Sequence, residues 1–590
     1  MVSVFPSVCH LDCPDACGLL IHIDDGKVVK CSGDPEHPFT RGVICAKMSS
    51  YPRLVHSPQR ILTPLRRTGP KGSGKFEKIS WEEALEIIVS RWEEIISSFG
   101  GEAILPFSYA GVMGLIQRNA GQAFFHRLGA SRLQRTICSP AAVAGWELTM
   151  GQTRATDPET VVHSDLIVLW GSNAASTNMH FLLLVQQARK KGARTVLIET
   201  HRSRTSRLVD QTYLVKPGTD GALALGIMHV LAEEGLVDEE FIRQYVEGYD
   251  RLRAEVLPRY TPRRVEEITG LPAEELVSLA KAYGQAKAPF LRIGIGLSRT
   301  RRGAATVRAI SCLPALVGAF GKTGGGALLS VRTTFDLSLL TRPDLCPRPV
   351  RELNMNQLGR ILTFPLEPPV KSLYVYSSNP AAVLPDQNRV LAGLAREDLF
   401  TVVHERFLTD TALYADVVLP ATSSLEQDDL YQSYGHYYLQ LAKRVLSPLG
   451  EARSNWQVFS ALARAFDFRE EIFSWTEEEA IKHLLAQPSP LREGITYEHL
   501  AQGKPVRLRV EKLDPYRFDT PSGKIEIASL RALSRGQTLL PDYVEREDET
   551  DDIYPFHLLT VPAHYTLNSS FGQDEGLQSR EGGRPRLLMN

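Results

Sequence analysis

Four cysteines near the beginning of the chain have the spacing of ligands to a metal centre. Cys9, Cys13 and Cys17 are separated by three residues each, and Cys45 follows at a distance. Zinc sites usually combine two closely spaced pairs of cysteines. Three thiolates in one short loop and a remote fourth are common around a cubane iron–sulfur cluster. The spacing therefore favours a [4Fe–4S] cluster, with zinc and buried free thiols as the alternatives.

The chain has eight cysteines in all. A disulfide scaffold does not fit a long chain without a secretion signal. Cys31 falls in an apparent strand after the Asp25-Gly26 turn, and we expect it to be a half-buried strand thiol. Cys138 stands in the stretch TICSPAAVAGW, before a predicted helix start. Its local sequence alone predicts a small buried side chain.

Alternating strands and helices should position any such centre. Residues 165–171 and 195–200 predict strands around an amphipathic helix at 180–193, which is the pattern of a parallel βαβ unit. The pattern returns later in the chain. Strands are predicted at 372–380, 400–407 and 415–421, and a helix is predicted near 385–396. The sequence thus predicts two α/β halves.

The two halves contain a weak internal repeat. Each has a strand followed by Ser-Asn and small residues, and Glu199 follows Asn173 by 26 positions just as Glu405 follows Asn379. Doubly wound sheets bind nucleotides at the carboxyl ends of their strands, so two halves imply two nucleotide-like ligands. The alternative is that Ser, Asn and Gly simply cap helices at such turns.

Composition excludes several classes of function. Lys and Arg total 67 against 68 for Asp and Glu, a balance that argues against a general nucleic-acid binder. No apolar run reaches the roughly 18–20 residues of a membrane span, so we expect no membrane insertion. The N-terminus shows no secretion signal, which predicts a cytoplasmic location. Neither a Walker A loop nor GxGxxG stands at an expected turn, which disfavours ordinary ATP or NAD binding.

Taken together, the motifs resemble the catalytic subunits of the molybdopterin oxidoreductase family. This is the DMSO-reductase superfamily, which includes formate dehydrogenases and periplasmic nitrate reductases. The resemblance covers nearly the whole chain, and it rests on the order and spacing of its motifs rather than on any one of them. The motifs are the cysteine run, Cys45-Ala46-Lys47, the WEEAL helix at 81–85, PGTD at 217–220, SNP at 378–380, ADVVLP at 415–420 and TPSGKIEI at 520–527.

The resemblance implies a role for each matching residue. The cysteine run with Cys45 would hold a [4Fe–4S] cluster, and Lys47 would lie between that cluster and one pterin. Cys138 would bind molybdenum or tungsten, since a soft thiolate suits such a metal. The dithiolene sulfurs of bis-molybdopterin guanine dinucleotide would bind the same metal. Contacts with that cofactor would come from Gly171, Ser172, Asn173, Glu199, Pro217, Gly218, Thr219, Asp220, Gly294, Gly296, Ser378, Asn379, Pro380, Glu405, Asp416 and His564.

The sequence departs from the family pattern at several positions. Formate dehydrogenases place His directly after the metal-binding residue, whereas this chain has Ser139, which counts against formate as the substrate. The strand before residue 200 ends in Glu-Thr-His-Arg instead of an Asp-Pro-Arg-like turn. Arg332 is the candidate for a substrate-side cation. Residues 556–572 resemble the beginning of the family's C-terminal β-rich domain, and we expect most of that domain to be missing.

The implied fold is α/β and multi-domain. We expect a [4Fe–4S] domain, two pseudo-related doubly wound α/β domains that bind the cofactor nucleotides, and an incomplete C-terminal β-rich domain. A mixed region would line the active site. The expected boundaries are 1–60 for the cluster domain, 61–160 and 330–372 for the mixed region, 161–329 and 373–530 for the α/β domains, and 550–590 for the C-terminal part.

The implied function is two-electron chemistry on a small substrate at the metal. Electrons would pass through the cluster to an external electron-transfer protein or iron–sulfur subunit, because the chain has no flavin or NAD motif. Two alternatives remain at this point. One is a non-redox hydratase or transhydroxylase of the same family, and the other is a pterin-free electron-transfer subunit.

Overall fold

The structure is a computed structural model that describes residues 1–152, 155–545, 550–584 and 587. The strands are numbered in chain order. They are β1 Ser3–Val8, β2 Gly18–Asp24, β3 Lys27–Gly33, β4 Leu65–Arg67, β5 Phe76–Lys78, β6 Ile104–Ser108, β7 Arg132–Gln134, β8 Leu166–Trp170, β9 Arg194–Glu199, β10 Gln211–Leu214, β11 Val246–Glu247, β12 Pro289–Ile293, β13 Gly326–Leu328, β14 Glu352–Asn354, β15 Ser372–Tyr376, β16 Phe400–Glu405, β17 Val417–Pro420, β18 Asp429–Gln432, β19 Tyr438–Ala442, β20 Val506–Arg507 and β21 Ile525–Glu526.

Helices of eight residues or more are labelled in the same way. They are α1 Trp81–Phe99, α2 Pro140–Met150, α3 Met179–Lys190, α4 Asp220–Glu233, α5 Pro262–Thr269, α6 Ala273–Gln285, α7 Gly303–Leu316, α8 Gln387–Leu394, α9 Asn455–Ala465 and α10 Glu477–Leu485. The shorter α-helices are Ala46–Ser49, Tyr51–Val55, Leu115–Asn119, Gln122–Leu128, Ala174–Thr177, Glu239–Tyr245, Tyr249–Arg251, Ser338–Thr341, Leu358–Thr363, Pro380–Val383, Tyr497–Ala501, Leu530–Ser534 and Glu575–Arg580.

The first 33 residues form an antiparallel sheet in the order β1-β2-β3. The predicted hairpin is confirmed, and it turns at Asp25 and Gly26, whose φ angles of 47° and 71° lie in the left-handed region. Cys31 is buried on β3, so its thiol lies deeper than the half-buried position we expected. This sheet supports the loop between β1 and β2, which contains the three closely spaced cysteines.

The first α/β unit is a fully parallel sheet in the order β10-β9-β8-β12-β13. All residues of β8 are buried, as expected for a strand covered on both faces. Alternate residues of β8 point into two different cores. Ile167 packs with α3 on one face, and Val168 packs with α4 on the other. The predicted βαβ unit and its doubly wound arrangement are therefore confirmed.

The second α/β unit has six strands in the order β5-β4-β17-β16-β15-β6. Strands β6, β15, β16 and β17 are parallel, and β4 pairs antiparallel with β17 at one side. The three strands predicted between residues 372 and 421 are confirmed. Strand β6 joins them from the region 61–160 that we expected to be separate. The pairing of β6 with β15 could not be predicted from the sequence, because adjacent parallel strands need not be consecutive in the chain.

The remaining chain covers these two units. Strands β18, β19 and β20 form a small antiparallel sheet, and β19 packs against β1. Among the described residues from 550 onward, the chain is largely irregular, with an isolated bridge between Leu567 and Ser570 and the helix Glu575–Arg580. No helix among the described residues combines the length and the apolar character of a membrane span.

Candidate active site and metal centre

The four predicted cluster cysteines meet at one end of the N-terminal sheet. The loop between β1 and β2 folds back on itself, since the Cys9 N–H donates to the Cys17 carbonyl over 2.9 Å. Cys45 approaches from the N-terminus of the helix Ala46–Ser49. Burial raises the pKa of the Cys9 thiol, and the nearby charge of Cys45 raises it further. The pKa of Cys17 is raised by burial and then by Cys9, so the thiols share one site.

An all-thiol donor set suits an iron–sulfur cluster, because Fe–S centres are held by cysteine thiolates. Cys9 and Cys17 are buried, and Cys13 and Cys45 are partly exposed. Within the part of the chain that the structure describes, no group of three or more His, Cys, Asp or Glu side chains is arranged to hold a single metal ion. The fit to the predicted cluster rests on the all-cysteine donor set.

Lys47 connects the cluster loop to the C-terminal segment. Its Nζ donates a 2.9 Å hydrogen bond to the backbone carbonyl of His564. The ring of His564 in turn contacts the Ser176 hydroxyl, at 2.9 Å between Nδ1 and Oγ. Ser176 lies in the short helix after the first Ser-Asn turn. Lys47 and His564, which the sequence placed near one pterin, therefore meet between the cysteines and the first α/β unit.

Asn173 stands at the carboxyl end of β8, where the order of the first sheet reverses. Its side-chain carbonyl accepts a 2.9 Å hydrogen bond from the Thr205 hydroxyl, and the same hydroxyl accepts from the Ala175 N–H over 3.0 Å. Glu199 ends β9 and accepts from the Thr200 N–H over 2.9 Å. These bonds orient the first turn at the position where a doubly wound sheet binds a nucleotide.

The second turn repeats this arrangement at residue numbers that are each 206 higher. Asn379 accepts a 2.7 Å hydrogen bond from the Thr411 hydroxyl, which accepts from the Ala381 N–H over 3.0 Å. Glu405 accepts from the Arg406 N–H over 2.6 Å. The internal repeat therefore reflects two equivalent turns. Our sequence analysis missed the two threonines, although each follows its asparagine by 32 positions.

The turn at 217–220 brings its carboxylate against the first sheet. Trp170, the last residue of β8, donates its Nε1–H to Asp220 over 2.9 Å. Burial raises the pKa of Asp220 to about 6, and the charge of Glu199 adds to this effect. The hydroxyl of Thr219 donates to the Lys216 carbonyl, and Gly218 supports the turn with a φ of 80°. Asp220 and Glu199 thus lie together, as their predicted common role requires.

Asp416, which we predicted to contact the cofactor, does not line the cleft at the second Ser-Asn turn. Asp416 precedes β17 and accepts from the N–H of Thr401 near the beginning of β16, over 2.7 Å. Arg67 and Lys71 form ion pairs with it at 2.8 and 3.0 Å. It therefore lies at the opposite edge of the sheet from Glu405. In the first unit, Asp210 lies 206 positions earlier and accepts from the Thr195 N–H in the same way. The two aspartates therefore make equivalent structural contacts in the repeat.

Cys138 lies between the two α/β units, just before α2. Its N–H donates to the Tyr109 hydroxyl over 3.1 Å, and its carbonyl accepts from the Ser298 hydroxyl over 2.6 Å. Tyr109 follows β6 of the second sheet, and Ser298 follows β12 of the first sheet. Loops from the carboxyl ends of both sheets therefore hold this one cysteine.

The surroundings of Cys138 are polar. Burial and the carboxyl group of Asp12 raise the pKa of its thiol to about 11, and the cations Arg299 and Arg118 oppose this effect. A guanidinium nitrogen of Arg299 lies 3.9 Å from the thiol sulfur. Partial burial raises the pKa of Asp12, and its carboxylate accepts a 3.0 Å hydrogen bond from the Tyr434 hydroxyl.

Arg299 is the cation that the structure places beside the Cys138 thiol, whereas Arg332 was our candidate for a substrate-side cation. The backbone carbonyl of Arg332 accepts a 2.8 Å hydrogen bond from the side-chain amide of Gln432. The expectation for Arg332 came from its position after a glycine-rich loop. Position along a loop does not determine the direction in which a side chain points. The stretch SRTRR at 298–302 was the signal that we missed.

A cleft opens at the second turn. It lies at the switch point between β15 and β6. Of the residues predicted to bind cofactor, Ser378, Asn379 and Glu405 line it. Other lining residues are His10, Tyr109, Gly111, Arg406, Thr422, Gln427 and the segment 567–570.

Close backbone contacts form at both switch points. A Cβ on Gly294 would lie 1.9 Å from the Gly171 carbonyl oxygen, and a Cβ on Gly111 would lie 2.5 Å from the Ser377 carbonyl oxygen. At Gly296 the distance to the Gly171 oxygen would be 3.1 Å. Gly294 and Gly171 are both positions predicted to contact the cofactor, so the two loops are pressed together at that edge.

Gly294→Ala is expected to displace the first turn, because backbone atoms on both sides leave the new methyl group no space. We expect a loss of about 1–3 kcal/mol in the free energy of unfolding and a lower molybdenum or tungsten content per chain. Calorimetry and metal analysis measure the two effects. Gly296→Ala is the matched control and should change both less. Unchanged stability and metal content in Gly294→Ala would contradict the prediction.

This arrangement of N-terminal cysteines, two doubly wound α/β units and Cys138 between them is the one expected of an iron–sulfur protein that binds nucleotide-like cofactors. Comparison with known proteins agrees. The family model for the molybdopterin oxidoreductase Fe4S4 domain matches residues 2–57, and the model for molybdopterin oxidoreductase matches residues 60–465. The chain therefore belongs to the molybdopterin oxidoreductase family. Its members carry a [4Fe–4S] cluster and a molybdopterin with molybdenum or tungsten, and the chain is an enzyme of this family.

Individual relatives extend over nearly the whole chain. It is 47% identical over 594 residues to the probable oxidoreductase YoaE of Bacillus subtilis, covering 100% of this chain and 87% of that protein. It is 27% identical to the dimethyl sulfoxide reductase DmsA of Escherichia coli, covering 98% and 81%. Acetylene hydratase from Pelobacter acetylenicus has a similar fold, with a TM-score of 0.85 at 22% identity over 98% of this chain and 85% of that chain.

Proposed function

We propose that the protein is a bis-molybdopterin guanine dinucleotide oxidoreductase that converts a small substrate by two-electron chemistry at a metal bound to Cys138. The observation that carries the proposal is the position of Cys138. Loops from the carboxyl ends of both sheets hold it through Tyr109 and Ser298. The Cys138 thiolate would be a ligand to the metal, and the two α/β units that hold this cysteine would each bind one nucleotide part of the cofactor.

Each α/β unit would bind one guanine dinucleotide. On the first unit, the carboxylates Glu199 and Asp220 suit the amino and imino N–H groups of a guanine. On the second unit, the cleft beside Asn379 and Glu405 suits the other nucleotide. The remaining proposed contacts are Gly171, Ser172, Asn173, Pro217, Gly218, Thr219, Gly294, Gly296, Ser378, Pro380 and His564.

When bound, the cofactor supplies the redox chemistry, and the protein controls access, orientation and electrostatics. Arg299 places a positive charge 3.9 Å from the Cys138 sulfur. Tyr109 orients the backbone at the same cysteine. Lys47 lies between the cluster loop and the first cofactor turn, where its positive charge would favour the more negatively charged, reduced state of the cluster. A separate electron-transfer protein would complete the reaction, since this chain has a single cluster motif.

Metal analysis of anaerobically purified protein tests this proposal first. About four iron atoms and about one molybdenum or tungsten atom per chain are expected, because Cys9, Cys13, Cys17 and Cys45 form one cluster site and Cys138 forms one metal site. Substrates can then be screened with dye acceptors. Iron without molybdenum or tungsten would favour a pterin-free electron-transfer subunit. Zinc without iron would contradict the assignment of the N-terminal cysteines.

A non-redox hydration is the second candidate function. The partly buried carboxyl group of Asp12, which accepts from Tyr434 over 3.0 Å, lies near Cys138 and would hold a proton for the addition of water. The two functions differ in their need for an electron acceptor. Turnover that depends on the acceptor supports the oxidoreductase, and turnover without any acceptor supports the hydratase.

A further inference from the structure

Ser377 has a backbone conformation that residues other than glycine rarely adopt. It directly follows β15, and its φ angle of 50° lies in the left-handed region. Apart from glycine, mainly Asn and Asp visit this region, because their short polar side chains form local hydrogen bonds. A left-handed residue of another type costs free energy, and such residues cluster at sites that bind ligands. The strain at Ser377 therefore calls for a reason in the function of its side chain.

The internal repeat contains an unstrained version of the same position. Gly171 is the equivalent residue of the first unit, 206 positions earlier, and its φ angle of 59° is similar. A Cβ at Gly171 would lie 2.9 Å from the Leu297 side chain, so that turn has little room for a side chain. Glycine adopts this conformation without strain. The second turn has a serine there instead, and its hydroxymethyl group is what distinguishes the second turn from the first at this position.

The Ser377 hydroxyl has a defined hydrogen-bond partner in Asn455. Ser377 is partly exposed and lines the cleft that Asn379 also lines. Its hydroxyl oxygen lies 3.0 Å from the side-chain nitrogen of Asn455, the first residue of α9. The same nitrogen donates to the backbone carbonyl of Gln117 over 3.0 Å, and a carbonyl can only accept. The amide nitrogen of Asn455 is therefore the donor, and the Ser377 oxygen accepts from it.

This bond leaves the hydrogen of the Ser377 hydroxyl unused. A hydroxyl group has one hydrogen to donate and two lone pairs that accept. Asn455 occupies a lone pair, and no residue in the described part of the chain accepts the hydrogen. Asn455 is 8% exposed and also lines the cleft, so it holds the hydroxyl at the wall of the cleft. A fixed hydroxyl with a free hydrogen suits an acceptor oxygen of a ligand in this cleft.

We propose that the Ser377 hydroxyl, held by the Asn455 amide, donates a hydrogen bond to an acceptor oxygen of the nucleotide on the second α/β unit. The inference rests on the proposed function, because it assigns a further contact to one of the two nucleotide sites. The strain persists because glycine would relieve it but has no hydroxyl to donate. The first turn has no counterpart at Gly171, so the two nucleotide sites differ at this contact.

The test compares how fast holoenzyme variants release their cofactor. Each variant is incubated at one temperature, and the molybdenum or tungsten and the guanine nucleotide that stay with the protein are measured over time. Ser377→Gly relieves the strain and removes the hydroxyl, so relief of strain and loss of the contact act in opposite directions. We expect release about tenfold faster than from the unaltered protein, which corresponds to the loss of about one hydrogen bond. Ser377→Ala keeps the strain, lacks the hydroxyl and should release at least as fast.

Asp467→Gly is the matched control. Asp467 is another left-handed residue, with a φ angle of 57°, and it is exposed after the end of α9. It does not line the cleft. The substitution therefore relieves the same kind of strain without removing a proposed contact, and release of the cofactor should be as slow as from the unaltered protein.

Three results would overturn the inference. Release from Ser377→Gly that is no faster than from the unaltered protein would show that the turn requires only its backbone conformation. Faster release from Ser377→Ala but not from Ser377→Gly would assign the effect to strain. Equally fast release from Asp467→Gly would show a general loosening of the second unit. Unaltered protein that contains no molybdenum, tungsten or guanine nucleotide would overturn the proposed function itself, so analysis of its composition separates the two failures.

Discussion

Cys138→Ala is expected to lower turnover by more than about 100-fold, because changes at groups that merely support metal ligands already cost 10- to 100-fold. The substitution removes the thiol of the residue whose backbone is held by loops from both sheets. The iron content should stay at about four per chain, since the cluster cysteines belong to a separate loop. Turnover of the substrate found in the acceptor screen measures the effect, together with iron, molybdenum and tungsten content.

Cys312→Ala is the control for this experiment. Cys312 is a buried thiol on α7 whose sulfur lies 3.4 Å from the Arg308 carbonyl. It should leave turnover nearly unchanged. If Cys138→Ala retained most of its activity and its full metal content, Cys138 would not be the metal ligand, and the reaction centre would have to be sought elsewhere.

Arg60→Ala is expected to cause the largest loss of stability. The guanidinium of Arg60 forms two hydrogen bonds to the carboxylate of Glu426, at 3.0 and 2.9 Å, and both side chains are at most 1% exposed. It also donates to the carbonyls of Val55 and Ala421. Removing one partner of such a pair leaves a buried charge uncompensated, which costs about 3–5 kcal/mol.

Calorimetry should show the loss as a lower unfolding temperature for Arg60→Ala. Arg66→Ala is the comparison, because its ion pair with Glu77 is about half exposed on both sides. Exposed pairs contribute about 0–1 kcal/mol. The cluster content should fall as well, since Arg60 ties the end of the cluster domain to the second α/β unit. Equal unfolding temperatures for the two variants would contradict the prediction.

Local sequence patterns were sufficient for much of the fold. The strands β8, β9, β15, β16 and β17 are runs of apolar residues with clear turn signals, and all were predicted from the chain. Runs of apolar residues indicate that a strand is buried, and this can be read from each segment without knowing its neighbours. The pairing of β6 with β15 was missed, because the two strands are more than 260 residues apart and nothing local in either one specifies its neighbour.

The candidate site was predicted in part. The hairpin beneath the cluster loop and the repeat of the two Ser-Asn turns agree with the structure. Asp416 was misplaced because a carboxylate at a strand end can lie at either edge of a sheet. The sequence pattern alone does not distinguish a ligand contact from the structural bond to Thr401.

The sequence by itself determined the thiol set, the two α/β units, and the repeat that relates them, since residue type and spacing are properties of the chain. Only the tertiary structure decided what surrounds Cys138 and Cys17. Arg299 beside Cys138 and His180 beside Cys17 each come from a segment far along the chain from the cysteine they contact. Their contacts depend on how the sheets and loops pack, because a hydrogen bond requires distance and direction that spacing along the chain does not specify.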